Sequence, residues 1–536
     1  MRFAGALLGA TILLNLCSIQ DVEALAQQPA SGTPTIQVTS RLVFLDVTVL
    51  DKKGHPVVSG LTKDDFSITD DKKPQRIFSF EPPESHVVDS TADADNSAGK
   101  APVTIFVLDL LDSRFSDFAY IRYMVRKYLV AQPDQLESPA ELMVLGNQSL
   151  EMVQGYTRSK ADLLYALQHI PAALPYKEMN GAFFEERFAQ AIDALQQISL
   201  QNKGVTGRKN IIWVGHGGPS ILTENLPSSD VDLLNRYVHD TTNMLVDSRM
   251  SLFVIYPGLN VNGPGFGWSE ASADTDIGDD DDPFSGDINF GVFVNETGGK
   301  LFYHRNDINT EIKQSEQLGS EYYTLTYQPA AGNADGKFRR IRVTLRDPNL
   351  RAMTKAGYFS PDQKTGAGPR QQRMVNIAEA VRSTIPFNTL GVTIEDLVRH
   401  PDTHTAQFTI LLNARNLDWK PTGDGRSSVD VLLAAASLGG QRNFLASRVE
   451  GLRIFANNVD PVRLANSVTR VPVTIRVPRK TQSLRVVIQL AGNGRSGAAE
   501  VNRKQIHAAP EAPTPEPQLI PQPLKHPDQP VAPSRQ

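Results

Sequence analysis

The sequence predicts a multidomain protein of α/β plus all-β class, with an open, mostly parallel sheet at its centre and sandwich strands on either side. Three observations predict it. Thr104-Ile105-Phe106-Val107-Leu108 is an unbroken apolar or β-branched run that ends on Asp109, and an amphipathic segment follows from Phe115 to Val130. Such a strand suits the middle of a parallel sheet, where helices cover both faces. Strand and helix patterns alternate from there to about residue 318, as α/β layering requires. Before and after that region the pattern turns to period-two alternation, the mark of half-buried strands.

The bulk numbers agree with a globular chain. It has 536 residues, 40% hydrophobic and 21% charged, enough to bury a sizeable core. Its 54 basic and 59 acidic residues leave a net charge of -5 without basic clustering, which speaks against nucleic acid as a partner.

The N-terminus reads as a secretory signal peptide, residues 1–26. Arg2 precedes the apolar run Ala4 to Leu16, and Ala24-Leu25-Ala26 offers small residues for cleavage before Gln27. That run is too short to span a bilayer, which takes about 20 residues. No later stretch is apolar enough to serve as a transmembrane segment. Cys17 is the sole cysteine and falls within the signal, so the mature chain has no disulfide. The alternative, a lipoprotein anchored through Cys17, is disfavoured by the bulky Leu16 before it.

Taken in order, Leu42–Leu50 reads as a strand, Asp51–Pro56 as a turn, and Phe66–Thr69 and Arg76–Phe80 as alternating strands. These N-terminal sandwich strands (35–82) are too few to close a core alone. A linker rich in Ser, Asp and Ala follows (83–101). The α/β domain (102–319) holds strands Val103–Leu108, Glu141–Leu145, Asn210–Val214, Ser251–Tyr256 and Lys300–Tyr303. Its helices are expected over Ser116–Val130, Lys160–Ile170, Phe183–Ile198, Asp230–Asp247, Phe290–Thr297 and Asn309–Leu318. The third carries a stripe of Phe184, Phe188, Ile192 and Leu195. The acidic, glycine-rich segment Gly258–Asp287 reads as a surface insertion.

Strands Tyr322–Tyr327, Phe338–Leu345 and Met353–Phe359 (region 320–361) are expected to complete the N-terminal sandwich, so that the α/β domain is inserted in it or flanked by it. On that expectation Phe44 or Phe78 packs against Tyr323, Tyr327 or Ile341. Pro361–Gln371 reads as a linker, 372–507 as a second, C-terminal β-sandwich-like domain, and 508–536 as a Pro-rich disordered tail.

Four segments carry a resemblance to a known family. They are Leu45–Val49 through Gly60-Leu61-Thr62-Lys63-Asp64-Asp65-Phe66, then Phe106-Val107-Leu108-Asp109, and Arg208–Trp213. The fourth runs from Glu296-Thr297-Gly298-Gly299-Lys300 through Tyr322–Pro329 to Lys355-Ala356-Gly357-Tyr358. Residues 102–319 resemble a von Willebrand factor type A domain, and about 40–360 resemble secreted acidobacterial proteins that contain one. The resemblance implies a doubly wound, Rossmann-like sheet. It also implies a Mg²⁺ site with an Asp-x-Ser-x-Ser loop after the first strand, a Thr from a second loop and an Asp from a third. Asp109 and Ser113 match the first loop, with Leu111 between them, and Asp112 is a possible contributor. The third loop reads His216-Gly217 in place of Asp-Gly, and no Thr stands out between Leu174 and Glu185. Two oxygens and an imidazole make a poor Mg²⁺ site. The expectation is a degenerate metal site, no firm cofactor, and an Asp109 that orders its own loop by accepting backbone hydrogen bonds.

Other candidates are weaker. His400 and His404 are spaced like ligands on one helical turn, but Pro401 between them points to a surface loop. Asp279–Asp282 lacks the alternation of a Ca²⁺ loop. Gly217-Gly218-Pro219-Ser220 is not a nucleophile elbow. Tyr322, Tyr323 and Tyr327 read as packing. No catalytic constellation emerges. The functional expectation is a secreted, periplasmic or envelope-associated, non-enzymatic adhesion or protein-interaction protein, with a protein or envelope ligand as partner. The alternatives are a structural envelope component without a specific ligand, and a hydrolase using the acidic loop.

Overall fold

A computed structural model describes residues 42–86, 102–111, 115–147, 149–171, 181–215, 217, 220–257, 283–284, 288–305, 307–329, 335–360, 369–422, 426–457 and 467–512. The expected signal peptide and tetra-aspartate run lie outside these residues, as do Asp112, Ser113 and His216 and the expected Pro-rich tail beyond Ala512. The first residues of that tail are ordered instead, because Arg399 N donates to Pro510 O at 2.8 Å and Ala512 N donates to Arg399 O at 2.9 Å. The chain forms two compact units. One runs to Leu390 and includes Gln489–Gly497, and the other holds Gly391–Ile488 and the residues from Ala498.

The first unit opens with β1 (Val43–Leu50), β2 (Phe66–Asp70), β3 (Lys73–Gln75) and β4 (Ile77–Glu81). The next part holds β5 (Val103–Asp109), α1 (Phe115–Val130), β6 (Gln135–Leu145), β7 (Leu150–Ser159), α2 (Lys160–Gln168), α3 (Gly181–Gln201) and β8 (Lys209–Val214). It continues with α4 (Ser228–Asp247), β9 (Met250–Pro257), α5 (Phe290–Glu296), β10 (Lys300–Arg305) and α6 (Ile308–Ser320). The unit closes with β11 (Tyr323–Tyr327), β12 (Phe338–Leu345), β13 (Arg351–Met353), β14 (Gly357–Phe359) and α7 (Pro369–Arg382).

The central sheet has the order β10-β9-β8-β5-β6-β7. The strands from β6 to β10 run parallel, and β7 pairs antiparallel with β6 at the edge. This is the doubly wound order, and its switch point falls between β5 and β8. One sheet face carries Phe106, Leu142, Ile212 and Phe253 into a core with Ile121 and Val125 of α1, Leu163 and Leu167 of α2, and Ile312 of α6. The other face, with Ile105, Val107 and Trp213, is covered from α3, α4 and α5. Local capping sets the helix starts: the Ser159 side chain accepts from Asp162 N at α2, and Asn289 accepts from Val292 N at α5.

Two four-stranded sheets, β13-β1-β11-β4 and β14-β12-β2-β3, face each other as a sandwich. Leu45 pairs with Leu325 and Ile68 with Val343, so strands from before and after the α/β region share both sheets. Leu45, Val47, Phe66, Ile68, Ile77, Tyr323, Leu325, Tyr327 and Ile341 fill the space between them.

Phe44 and Phe78 are not in that core; they are 43% and 55% exposed. Phe44 has the opposite parity to Val43, Leu45 and Val47, and its ring lies beneath the Arg249 guanidinium at 5.5 Å. The β4–β11 ladder shifts register between Ile77 and Ser79, which turns Phe78 outward. Phe66 and Phe80 pack on Tyr323 in their place.

Several elements differ from the sequence reading. The strand expected over Met353–Phe359 is two strands, β13 against β1 and β14 against β12, one in each sheet. β7 is an edge strand whose weak alternation hides it. The linker expected at 83–101 begins with a 3-10 turn, Pro83–His86, in which His86 is buried and stacked on Tyr322. Helix α7 occupies the end of the expected second linker and the start of the expected C-terminal domain. It belongs to the first unit because Ser383, just beyond it, donates to Gln197 of α3 at 2.8 Å, and Ile377, Ala380 and Val381 are buried.

A polar junction ties the sandwich to the N-terminal edge of the central sheet. Arg249 Nε donates to Asp46 Oδ2 at 3.0 Å and its Nη2 to Asp46 Oδ1, while Thr324 Oγ1 donates to Asp46 Oδ1 at 3.0 Å. Fully buried Arg208 donates to Ser251 Oγ at 3.0 Å and Thr48 Oγ1 at 2.9 Å, and Thr48 donates to Leu318 O at 2.7 Å.

The second unit contains β15 (Val392–His400), β16 (Thr405–Asn413), β17 (Lys420–Pro421), β18 (Arg426–Leu438), β19 (Phe444–Asn457), β20 (Val468–Arg476), β21 (Ser483–Leu490) as far as Ile488, β22 (Ser496–Asn502) from Ala498, and α8 (Arg503–Ala508). One sheet is β15-β16-β20; the other is β17-β18-β21-β22, with β19 paired to β18. His400 and His404 flank the β15–β16 turn. His404 is exposed with φ 52°, as a loop residue, but His400 is buried and its Nδ1 lies 2.9 Å from Ala512 O.

Candidate functional site

Asp109 is the last residue of β5, and its neighbours across the ladder are Leu145 on one side and the end of β8 on the other. It therefore lies at the carboxyl end of the sheet and at the switch point, where open α/β sheets bind ligands. Two glycines after β8 shape the space around it. At Gly215 (φ 152°) an added Cβ would come within 2.3 Å of the Asp109 Cβ. At Gly217 (φ 69°) it would meet the Phe290 ring at 2.5 Å. Both positions require glycine, so the β8–α4 loop can close over the carboxylate.

The carboxylate is buried and engaged on both oxygens. Leu111 N donates to Oδ1 at 3.0 Å. Trp213 Nε1 donates to Oδ2 at 3.0 Å and Gly217 N donates to the same oxygen at 2.8 Å. Burial pushes the carboxyl up to about 6, against the opposing pull of these hydrogen bonds and of the Arg187 charge. Buried Arg187 comes from α3 and donates from Nη1 to Asn147 Oδ1 at 2.8 Å, which ties the β6–β7 loop to the same region. Trp213 packs on Phe290 with ring centroids 4.9 Å apart.

Of the residues the sequence singled out here, Asp109 is placed at the site and Leu111 contributes its backbone N–H while its side chain is buried. Ser113, Asp112 and His216 lie outside the described residues. Trp213, Arg187, Asn147 and the Gly217 amide were missed. Trp213 was within reach of strand parity, because it pairs with Val107, which shares a sheet face with Asp109. Nothing in the sequence separates Arg187 from the charged residues around it.

A type A fold implies a divalent cation beside this aspartate. Mg²⁺ asks for oxygen ligands in a near-octahedral shell. Leu111 N, Trp213 Nε1 and Gly217 N donate to Asp109 and the Arg187 charge acts on it, and each of these repels a cation. Among the described residues no cluster of three or more His, Cys, Asp or Glu side chains stands ready for a metal. These residues do not fit the ion.

No family description matches the chain, and no curated protein matches it. Solved structures similar to it include the following three. The SpRpn10 VWA domain is 15% identical over 29% of this chain and 75% of its own, with a TM-score of 0.19. Proximal thread matrix protein 1 from the mussel byssus is 10% identical over 43% of this chain and 48% of its own, with a TM-score of 0.23. A von Willebrand factor type A protein from Catenulispora acidiphila is 8% identical over 65% of this chain and 80% of its own, with a TM-score of 0.23. The likenesses are slight, and the fold stands on the strand order and register themselves. No helix among the described residues is long and apolar enough to cross a membrane.

Proposed function

We propose that the chain is an exported, non-enzymatic protein-interaction protein whose α/β domain meets its partner at the carboxyl end of the sheet without a divalent cation. One observation carries this reading: the acid at the switch point is held by three N–H donors of its own chain. A carboxylate in that state orders the β5 and β8 loops. To act as nucleophile, base or metal ligand it would have to give up those bonds, and each is worth about 1.5–3 kcal/mol. The loop after β8 presents Leu222 at 49% exposure, close in sequence to the glycines that shape the site. Export rests on the Arg2, Ala4–Leu16 and Ala24-Leu25-Ala26 pattern.

The test is capture from envelope extracts on the immobilised mature chain, in Mg²⁺ and in EDTA, followed by cross-link mapping. Cross-links should fall in the loops after β5 and β8, persist in EDTA, and weaken with Leu222→Asp. Capture that needs Mg²⁺, or that maps elsewhere, overturns the reading. Turnover of ester, peptide or glycoside probes would reassign the protein as a hydrolase.

A further inference from the structure

Glu141 stands in the interior of β6, opposite Ile105 of β5, with Ile211 beyond on β8. It is completely buried. A chain of neutral groups leads to it. Tyr156 OH of β7 donates to Asn202 Oδ1 at 2.6 Å, Asn202 Nδ2 donates to Gln201 Oε1 at 3.3 Å, and Gln201 Nε2 donates to Glu141 Oε2 at 3.1 Å. Glu141 Oε1 has no hydrogen-bond partner among the described residues. An ionised carboxylate offers about four acceptor sites and loses heavily when buried among neutral groups alone.

We infer that Glu141 is held as a neutral acid and locks the last turn of α3 against β6 and β7, a lock that a rise in pH releases. The groups that act on this carboxyl are Gln201, Tyr156 and Asn202, none of them charged at neutral pH. Burial outweighs their hydrogen bonds and pushes the acid up to about 8. Burial likewise raises the Tyr156 hydroxyl well above its ordinary value, so it remains a donor. The charged form of Glu141 needs water, and water enters by parting the end of α3 from the sheet.

The folded protein holds this proton more tightly than the unfolded chain, whose carboxyl titrates near 4.5. Stability therefore falls as pH rises from about 4.5 to about 8 and then levels. The logarithm of the unfolding constant should climb by up to about one unit per pH unit across that window. Glu141→Gln keeps an acceptor for Gln201 and removes the titration. Urea unfolding of the mature wild type and the variant should give constants whose ratio changes on the order of a thousandfold from pH 5 to pH 8. Asp109, His86 and Lys209 titrate in both proteins and cancel in that ratio. Amide exchange over 198–204, corrected for intrinsic rates, should accelerate above pH 8 in the wild type alone. A ratio that stays flat from pH 5 to pH 8 overturns the inference. If the variant does not fold, ¹³C-carboxyl NMR of the wild type decides, because a Glu141 signal already ionised at pH 6 overturns it equally.

Discussion

Asp46→Ala tests how firmly the sandwich is fastened to the α/β domain. The Asp46 side chain is 9% exposed and that of Arg249 is 18% exposed. Two guanidinium N–H groups and the Thr324 hydroxyl converge on this one carboxylate. Breaking a buried pair by removing one partner costs about 3–5 kcal/mol, because the other charge stays behind uncompensated. Arg249 keeps some access to water, so the lower end applies, and about 3 kcal/mol is expected. The assay is urea unfolding read by circular dichroism, with the transition of the first unit fitted separately from that of the second. Arg249→Met and the double variant complete a thermodynamic cycle. The double variant should recover part of the loss, since no lone charge remains. A loss below about 0.5 kcal/mol for Asp46→Ala, or a coupling energy of that size or less, would refute the reasoning. The pH dependence has a definite sign. Burial alone would raise the Asp46 carboxyl, but the charge and hydrogen bonds of Arg249 hold it below 3.8. Its stabilisation is thus fully present above that value and lost as pH falls through the lower folded one.

Phe66→Ala should cost about 3–5 kcal/mol as a core aromatic deletion, while Phe78→Ala should stay within about 0.5 kcal/mol because the ring is already exposed; thermal unfolding of the pair checks this. Asp109→Ala leaves the Trp213 indole and the Gly217 amide without their acceptor and should cost about 2–3 kcal/mol, and titration calorimetry of the wild type with Mg²⁺ or Mn²⁺ should show no saturable heat. Mass spectrometry of exported protein should find Gln27 at the N-terminus; a lipidated Cys17 would replace that assignment. The fragment 27–100 should lack a cooperative melt, because Leu45 and Ile68 pair with Leu325 and Val343, which it lacks.

Much of the architecture was legible in local pattern. The apolar run before Asp109, the amphipathic spacing of α1, α3 and α4, and the alternation in β1 and β12 each report burial within a few residues of chain. Such spacing depends on which side of an element faces the core. β7 and α7 were not legible for the same reason: one is a half-covered edge, and the other begins Pro369-Arg370-Gln371-Gln372-Arg373 with no apolar residue in its first turn. Phe78 misled because the bulge that turns it outward is a property of its pairing with β11, not of β4 alone.

By itself, the sequence determined the alternation of strands and helices, the placement of Asp109 at a strand end, and the shortage of strands on the N-terminal side. All of these follow from residue type and period. The tertiary structure alone decided which strands share a sheet, that the switch point falls at β5, and that Trp213, Gly217 and Arg187 converge on Asp109. It also decided that Glu141 is buried without a charge to meet it. A polar residue in a strand reads as solvent-facing, and only the packing of α3 across that face removes the water. Contacts between segments hundreds of residues apart leave no periodic trace in either one, so distance along the chain is what the local pattern cannot carry.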